Sequence, residues 1–330
     1  MKCSMNSNTT RNNWYVIIGV IVLITLFCYS LFVGKYPLKL EKMMAGDAYQ
    51  LKIFWTLRFS RTIVGLFGGF SLGIAGFVYQ TIFRNPLASP DIIGVSSGAS
   101  AGAAFGILFF SGAMSVTLCS FGGALIAVIL AILLSMLDKS DRKGTVILAG
   151  IAVHSLAQTV LMMLKTIADP EKQLASIEYW IMGSLNGVNS HAIKGNFVVC
   201  FCCLILLLLL HRQTLLLSQD ELEAKMLGVN VSKMRLCILV TSTLLVSSVV
   251  SLTGLISFIG LLAPHSARAI TKDHSIKTMI LSGLAGSILL LLADIFARSI
   301  ARTELPVSIF TSLIGAPFLV LLIVIRREKI

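Results

Sequence analysis

Residues 220–235 read DELEAKMLGVNVSKMR, a polar passage standing between two long apolar runs. Ser218 and Glu221 have the S-x-x-E spacing of a capping box, in which the two residues satisfy free backbone N–H groups at a helix start. That helix has room for about two turns before Gly228, the residue type favoured at a left-handed helix end. Ser232 is placed to cap the next helix, and Lys233, Met234 and Arg235 lead back into apolar sequence. The passage predicts a short helix, a tight Gly turn and a second helix start at a membrane surface. Such a loop is what a membrane subunit offers a soluble partner; a plain solvated loop is the alternative.

The flanking composition explains why a membrane is invoked. The 330 residues are 56% hydrophobic and 13% charged, with mean hydropathy +0.89, whereas soluble domains carry about 25% charged residues. The fold class is all-α, a polytopic membrane protein of about ten transmembrane helices. The first apolar run, 15–33, is long enough to span and lacks a small-residue cleavage motif, so an uncleaved first span is expected. Cys3 has no apolar run ahead of it, which excludes a lipid-attachment box. The other cysteines lie in apolar runs without C-x-x-C spacing; apolar packing is their expected role, with neither a disulfide framework nor a metal site. The net charge of +12 suits anionic lipid headgroups, and nothing else points to nucleic acid.

The expected spans are 15–33, 61–82, 92–110, 114–136, 145–166, 195–211, 234–252, 255–270, 277–297 and 307–325, the eighth short and broken by Pro264. With the N-terminus inside, 16 of the 27 basic residues fall on inner segments, so the positive-inside rule favours both termini in the cytoplasm. The first outer loop, 34–61, runs against that rule with six, which suggests a task for them there.

Gly94, Gly98, Gly102 and Gly106 recur every four residues on one face, as do Gly65, Gly69 and Gly73. In lipid such ridges let helix backbones approach, and bundle packing is their expected role. A weak internal duplication is also visible. Residues 83–88, FRNPLA, and 261–266, LLAPHS, each put a proline after an apolar helix. Span counting places the repeats, about 60–166 and 234–325, in opposite orientations within one permease domain, 1–330. Inverted repeats with broken helices mark transporters.

Asp294 lies in the ninth span with Arg298 one turn on, and an ion pair closing the helix end is the favoured reading. A proton-carrying Asp294 is the sharper alternative. His154 and His265 read as packing residues rather than ligands. No G-x-x-x-x-G-K-[ST] loop, H-E-x-x-H or G-x-S-x-G occurs, so the chain supplies neither ATP hydrolysis nor another recognisable enzyme chemistry, and no cofactor is expected. An uphill transporter of this kind must couple to an ion gradient or to a separate ATPase.

Residues 84–99, RNPLASPDIIGVSSGA, resemble the signature of the FecCD family, permease subunits of ABC importers for iron–siderophores, haem and cobalamin. Residues 260–268, GLLAPHSAR, resemble its second signature, with Ser257 where the family often has glycine. AKMLGVNV at 224–231 resembles its coupling segment, and Ala293-Asp294 with Glu304-Leu305-Pro306 its last loop. The resemblance implies a second permease, identical or paralogous, two ABC ATPase subunits per complex, and an extracytoplasmic substrate-binding protein. It assigns Glu221, Ala224, Leu227, Gly228 and Val229 to ATPase coupling. Arg58, Arg61 and Arg298 would dock the binding protein, with Arg302 one turn further as a possible contributor; Asn85 and Leu87 would stand near the cytoplasmic gate. The expected function is an ATP-driven importer of an iron chelate, an iron–siderophore in particular, in the cell membrane. A proton-coupled secondary transporter using Asp294 is the alternative, and a non-transporting scaffold would leave the outer arginines without purpose.

Overall fold

The computed structural model describes residues 2–34, 36, 38–110, 112–135, 142–186, 190–218, 226, 230–300 and 303–327. Among them there is no β-strand. In chain order the helices are α1 (Lys2–Phe32), α2 (Leu40–Met44), α3 (Ala48–Ile53), a π-helical turn (Phe54–Phe59) and α4 (Ser60–Ile82). A 3-10 turn (Pro90–Ile93) precedes α5 (Val95–Phe109), α6 (Ala113–Ser135), α7 (Arg142–Ile167), α8 (Gln173–Ile181), α9 (Ser190–Leu209) and α10 (His211–Leu216). The series ends with α11 (Val231–Thr253), α12 (Ile259–Thr271), α13 (Ile276–Ser299) and α14 (Val307–Arg327).

Every expected span overlaps a helix, but the eighth, expected at 255–270, becomes helical only from Ile259. Among the described residues, six stretches are long and apolar enough to cross a membrane: Asn13–Phe32, Ala48–Ile82, Ala113–Ser135, Thr145–Ile167, Val231–Thr253 and Ile276–Ser299. Val95–Phe109, Gly195–Leu209 and Val307–Leu321 are apolar but shorter. Helix α12 has 13 residues; at 1.5 Å per residue it covers ~20 Å, less than a ~30 Å hydrocarbon core.

Pro264 does not break the eighth span. It lies inside α12, which continues to Thr271; the proline removes one donor from the helical ladder, and the turn holds. Pro86 lies outside helix, between α4 and the 3-10 turn. The two prolines are therefore not structural equivalents. What the two halves do share is a left-handed residue before a short helix: Gly94 (φ 82°) before α5 and Phe258 (φ 69°) before α12. For a non-glycine residue that conformation costs about 1–2 kcal/mol. Packing holds Phe258 there, because its ring lies so close to Gly315 that a Cβ at 315 would stand 2.4 Å from it.

The chain forms two compact units, Met1–Ile74 with Ser184–Gly187 and Ile256–Ile330, and Ala75–Gly183 with Val188–Leu255. Each draws on both sequence halves, so the units do not coincide with the repeats at 60–166 and 234–325. In the first unit Leu23 of α1, Ala267 of α12 and Leu281, Leu284 and Leu291 of α13 form the core. The α4 glycines lie against α13. Ser282 Oγ donates to the Gly73 carbonyl and Ser287 Oγ to the Leu66 carbonyl, each at 2.7 Å. In the second unit Ala101 and Ala104 of α5, Leu161 and Leu164 of α7 and Ile177 of α8 cluster together. Gly98, Gly102 and Gly106 fit α5 onto α6; a Cβ at Gly102 would stand 2.2 Å from the Cys119 carbonyl oxygen. Gly94 leaves this ridge and serves as the cap.

Candidate functional site

The charged site lies in the first unit, where the C-terminal end of α1 meets the start of α4 and the end of α13. Asp47 accepts a bond from the Tyr49 N–H at 2.9 Å and starts α3, which runs through the π turn into α4. π turns widen a helix and often mark functional positions. Here the turn carries Arg58, whose guanidinium donates to the carbonyls of Val33 and Tyr36 just past the end of α1. Those carbonyls have no helical partner ahead of them. Gly34 is required for the approach, since a Cβ there would overlap the Arg58 guanidinium.

Arg61 bridges two acids. Its Nε donates to Asp294 Oδ1 and its Nη1 to Glu304 Oε2, both at 2.8 Å. Arg298 Nε stands 3.4 Å from Asp294 Oδ2, an ion pair one helical turn apart. The Arg298 guanidinium also donates to the Val33 carbonyl at 3.0 Å and to Ser30 Oγ, and Ser30 and Thr62 hydroxyls are bonded at 3.0 Å. Arg58, Arg61 and Arg298 are 6%, 7% and 2% exposed, and Asp294 is fully buried. Among the described residues, three guanidinium groups thus lie with two carboxylates, an excess of one positive charge.

The three arginines expected to dock a binding protein are thus largely buried. They turn inward and join α1, α4, α13 and the 303–306 segment. The Asp294–Arg298 pair is present as the i,i+4 spacing suggested, but Arg61 supplies the shorter contact. Ser30, Val33, Gly34 and Glu304 join this cluster through the fold, with no charge pattern in the sequence that groups them. The sequence signal for Gly34 is a glycine at the end of an apolar run. Arg302 lies outside the described residues.

Asn85 and Leu87 follow α4. Arg84 adopts a left-handed conformation (φ 50°), the Asn85 N–H bonds the Gln80 carbonyl at 3.2 Å and the Arg84 N–H the Thr81 carbonyl at 3.3 Å. This is a Schellman ending with arginine in place of glycine. Asn85 Oδ1 then accepts from the Leu87 N–H at 2.9 Å, which presents the Leu87 side chain, 55% exposed, at the tip of the turn.

Glu221, Ala224, Leu227, Gly228 and Val229 lie outside the described residues, but both edges of their segment are defined. Ser218 Oγ donates backward to the Leu215 carbonyl at 2.6 Å, closing α10. Asn230, not Ser232, caps α11: its side chain accepts from the Lys233 N–H at 3.2 Å. The helix starts two residues earlier than the Ser232 cap required. His265 is a packing residue, edge-on to Phe318 with ring centroids 5.8 Å apart.

Membrane-length helices, short capped helices beside them and a buried charge cluster at helix ends define a polytopic membrane protein of permease build. The profile of the FecCD transport family matches residues 22–325, and the chain belongs to that family. It is 34% identical to the molybdate import system permease protein of Haemophilus influenzae, over 92% of this chain and 93% of the relative. It is 32% identical to the ferric-citrate import system permease protein of Bacillus subtilis, over 95% and 96% of the two chains. A solved ABC transporter described as metal-chelate type, in an inward-facing conformation, superposes with TM-score 0.84 at 32% identity, covering 94% of this chain and 99% of the other.

Proposed function

We propose that this chain is the membrane permease of an ABC importer that moves an iron chelate, an iron–siderophore in particular, into the cytoplasm. The observation that carries this reading is the match over nearly the whole chain to permeases of one importer family, a ferric-citrate permease among them. A molybdate permease at 34% identity makes an oxyanion the competing cargo. The chain lacks a phosphate-loop sequence, so ATP hydrolysis belongs to a separate subunit, two per complex. A second permease, identical or paralogous, completes the pathway, and both termini face the cytoplasm.

In this reading residues 218–235 receive the ATPase, through Glu221, Ala224, Leu227, Gly228 and Val229, and Asn85 and Leu87 stand near the inner gate. Arg58, Arg61 and Arg298 lie at the outer face. Their burial gives docking a specific form. The excess positive charge attracts an acidic lobe of the binding protein, and Glu304, with a side chain 27% exposed, marks the open rim of the cluster. Complementary charge of this kind steers encounter more than it tightens the complex.

The proton-carrier alternative fits poorly. Asp294 has no exposed surface and is held between Arg61 and Arg298, the arrangement of a fixed counter-ion. The test is to tag the chain in its native membrane, solubilise it gently and identify what copurifies. The expected result is an ATPase subunit at about one per permease, with a binding protein that takes up ferric chelates in a ligand screen. A lone oligomer active with a proton gradient would overturn the reading.

A further inference from the structure

Arg58 and Arg61 account for two of the six basic residues of 34–61. Lys39, Lys42 and Lys52 are exposed, and Lys35 lies outside the described residues. The chain around those lysines has a fixed height against the bilayer. The apolar stretch of α1, Asn13–Phe32, has 20 residues, which at 1.5 Å each cover ~30 Å, the depth of a hydrocarbon core. Its end at Phe32 therefore marks one boundary. Arg58 ties the π turn to the Val33 and Tyr36 carbonyls just past that boundary. The stretch Ala48–Ile82 has 35 residues, too many for the core. It is ~52 Å long and would need a tilt of about 55° to fit, whereas membrane helices tilt by roughly 0–40°. The surplus belongs to the Ala48 end, so α3 and the π turn lie at the boundary, with α2 before them.

The exposed side chains there are of two kinds. Met44 is 87% exposed, and Tyr36, Tyr49 and Trp55 are more than half exposed. Trp55 is held edge-on between Phe54 and Phe59, with ring centroids 5.3 and 4.9 Å away, so its indole is presented in a set place. Lys39, Lys42 and Lys52 stand among them, against Glu41 and Asp47, and the Asp47 carboxylate is taken up in capping α3. A segment in open water would gain nothing from exposing Met44, Tyr49 and Trp55. A segment in hydrocarbon would leave three ammonium groups unsolvated. The headgroup layer satisfies both. Aromatic rings are favoured there, and lysine stems lie along apolar surface while their ammonium groups reach phosphate or water.

We propose that residues 36–59 form an interfacial collar seated in the headgroup layer of the leaflet where α1 ends, with Met44, Tyr49 and Trp55 at the acyl boundary and Lys39, Lys42 and Lys52 on lipid phosphates. The collar fixes the depth of the arginine cluster, because Arg58 belongs to both. A partner that docks there meets lipid and protein together. Seating in lipid does not depend on what the chain transports.

The full-length protein has three tryptophans, Trp14, Trp55 and Trp180, so the variant with Trp14→Phe and Trp180→Phe reports Trp55 alone. It is placed in phosphatidylcholine nanodiscs whose acyl chains are brominated either near the glycerol or near the methyl end. Loss of Trp55 emission is expected with shallow bromine, and little loss with deep bromine or aqueous iodide. Should that variant fail to fold, the difference between wild type and Trp55→Phe gives the same reading. Quenching by iodide but not by brominated lipid would overturn the proposal and put the segment in water. Strongest quenching by deep bromine would overturn it as well, and so would protection from all three quenchers, the mark of a covering protein. Lys42→Glu with Lys52→Glu sets carboxylates against lipid phosphates and should lessen the shallow quenching. Unchanged quenching in that variant would overturn the part given to the lysines.

Discussion

Two joints in this molecule solve the same problem differently. Helices α5 and α6 meet through Gly98, Gly102 and Gly106, with backbone against backbone. The ends of α1, α4 and α13 meet through buried charge. Lipid tails are as apolar as leucine, so neither joint is held by a hydrophobic drive between helices. The glycine joint gains close van der Waals contact and is indifferent to charge. The charged joint gains strong bonds only while all its members are present, because a buried ion without its partner is costly. A glycine joint suits a fixed scaffold. A charge cluster with one excess cation suits a place where another molecule's charge is to be felt.

The contrast is broken most severely by Asp294→Asn. That variant leaves Arg61 and Arg298 buried without their shared carboxylate, and a loss of about 3–5 kcal/mol is expected. Thermal unfolding followed by fluorescence-detected size exclusion reads it; an unchanged melting temperature would mean that the cluster does not hold the helix ends. Gly102→Val comes next, at about 1–3 kcal/mol for overpacking. Gly122→Ala, with nothing within 4 Å of the added Cβ, is its matched control and should stay within about 0.5 kcal/mol. If both glycine variants behave alike, close approach is not what the ridge provides. Glu304→Gln should cost roughly 1–2 kcal/mol, less than Asp294→Asn because its side chain is part-exposed. The smallest effect belongs to Ser282→Ala, which removes one interhelical bond to the Gly73 carbonyl, worth ~0.6 kcal/mol in a membrane protein.

The two joints also differ in how far the sequence announces them. The four-residue period of Gly98, Gly102 and Gly106 is local, and one face of one helix is enough to read it. Asp294 and Arg298 are likewise legible, being one turn apart. Arg61 and Asp294 are 233 positions apart, and no local pattern joins them; the basic loop that ends at Arg61 reads as an exposed surface until the fold turns Arg61 inward. The cap of α11 shows a subtler limit. Asn230 and Ser232 are both good cap residues two positions apart, and only the backbone path selects Asn230. Pro264 disturbs its helix less than its residue type suggests for a related reason, because a proline's cost depends on the helix around it. The coupling residues at 221–229 rest on family resemblance, with both edges of their segment now placed.

The most direct measurement is transport by the assembled complex. The chain would be reconstituted in liposomes with the proposed ATPase and binding protein and with radiolabelled ferric siderophore outside. The account predicts accumulation that requires ATP hydrolysis at the ATPase face and persists when the proton gradient is collapsed. Uptake that continues without the ATPase and stops when the proton gradient is collapsed would contradict it and return Asp294 to the centre of the mechanism.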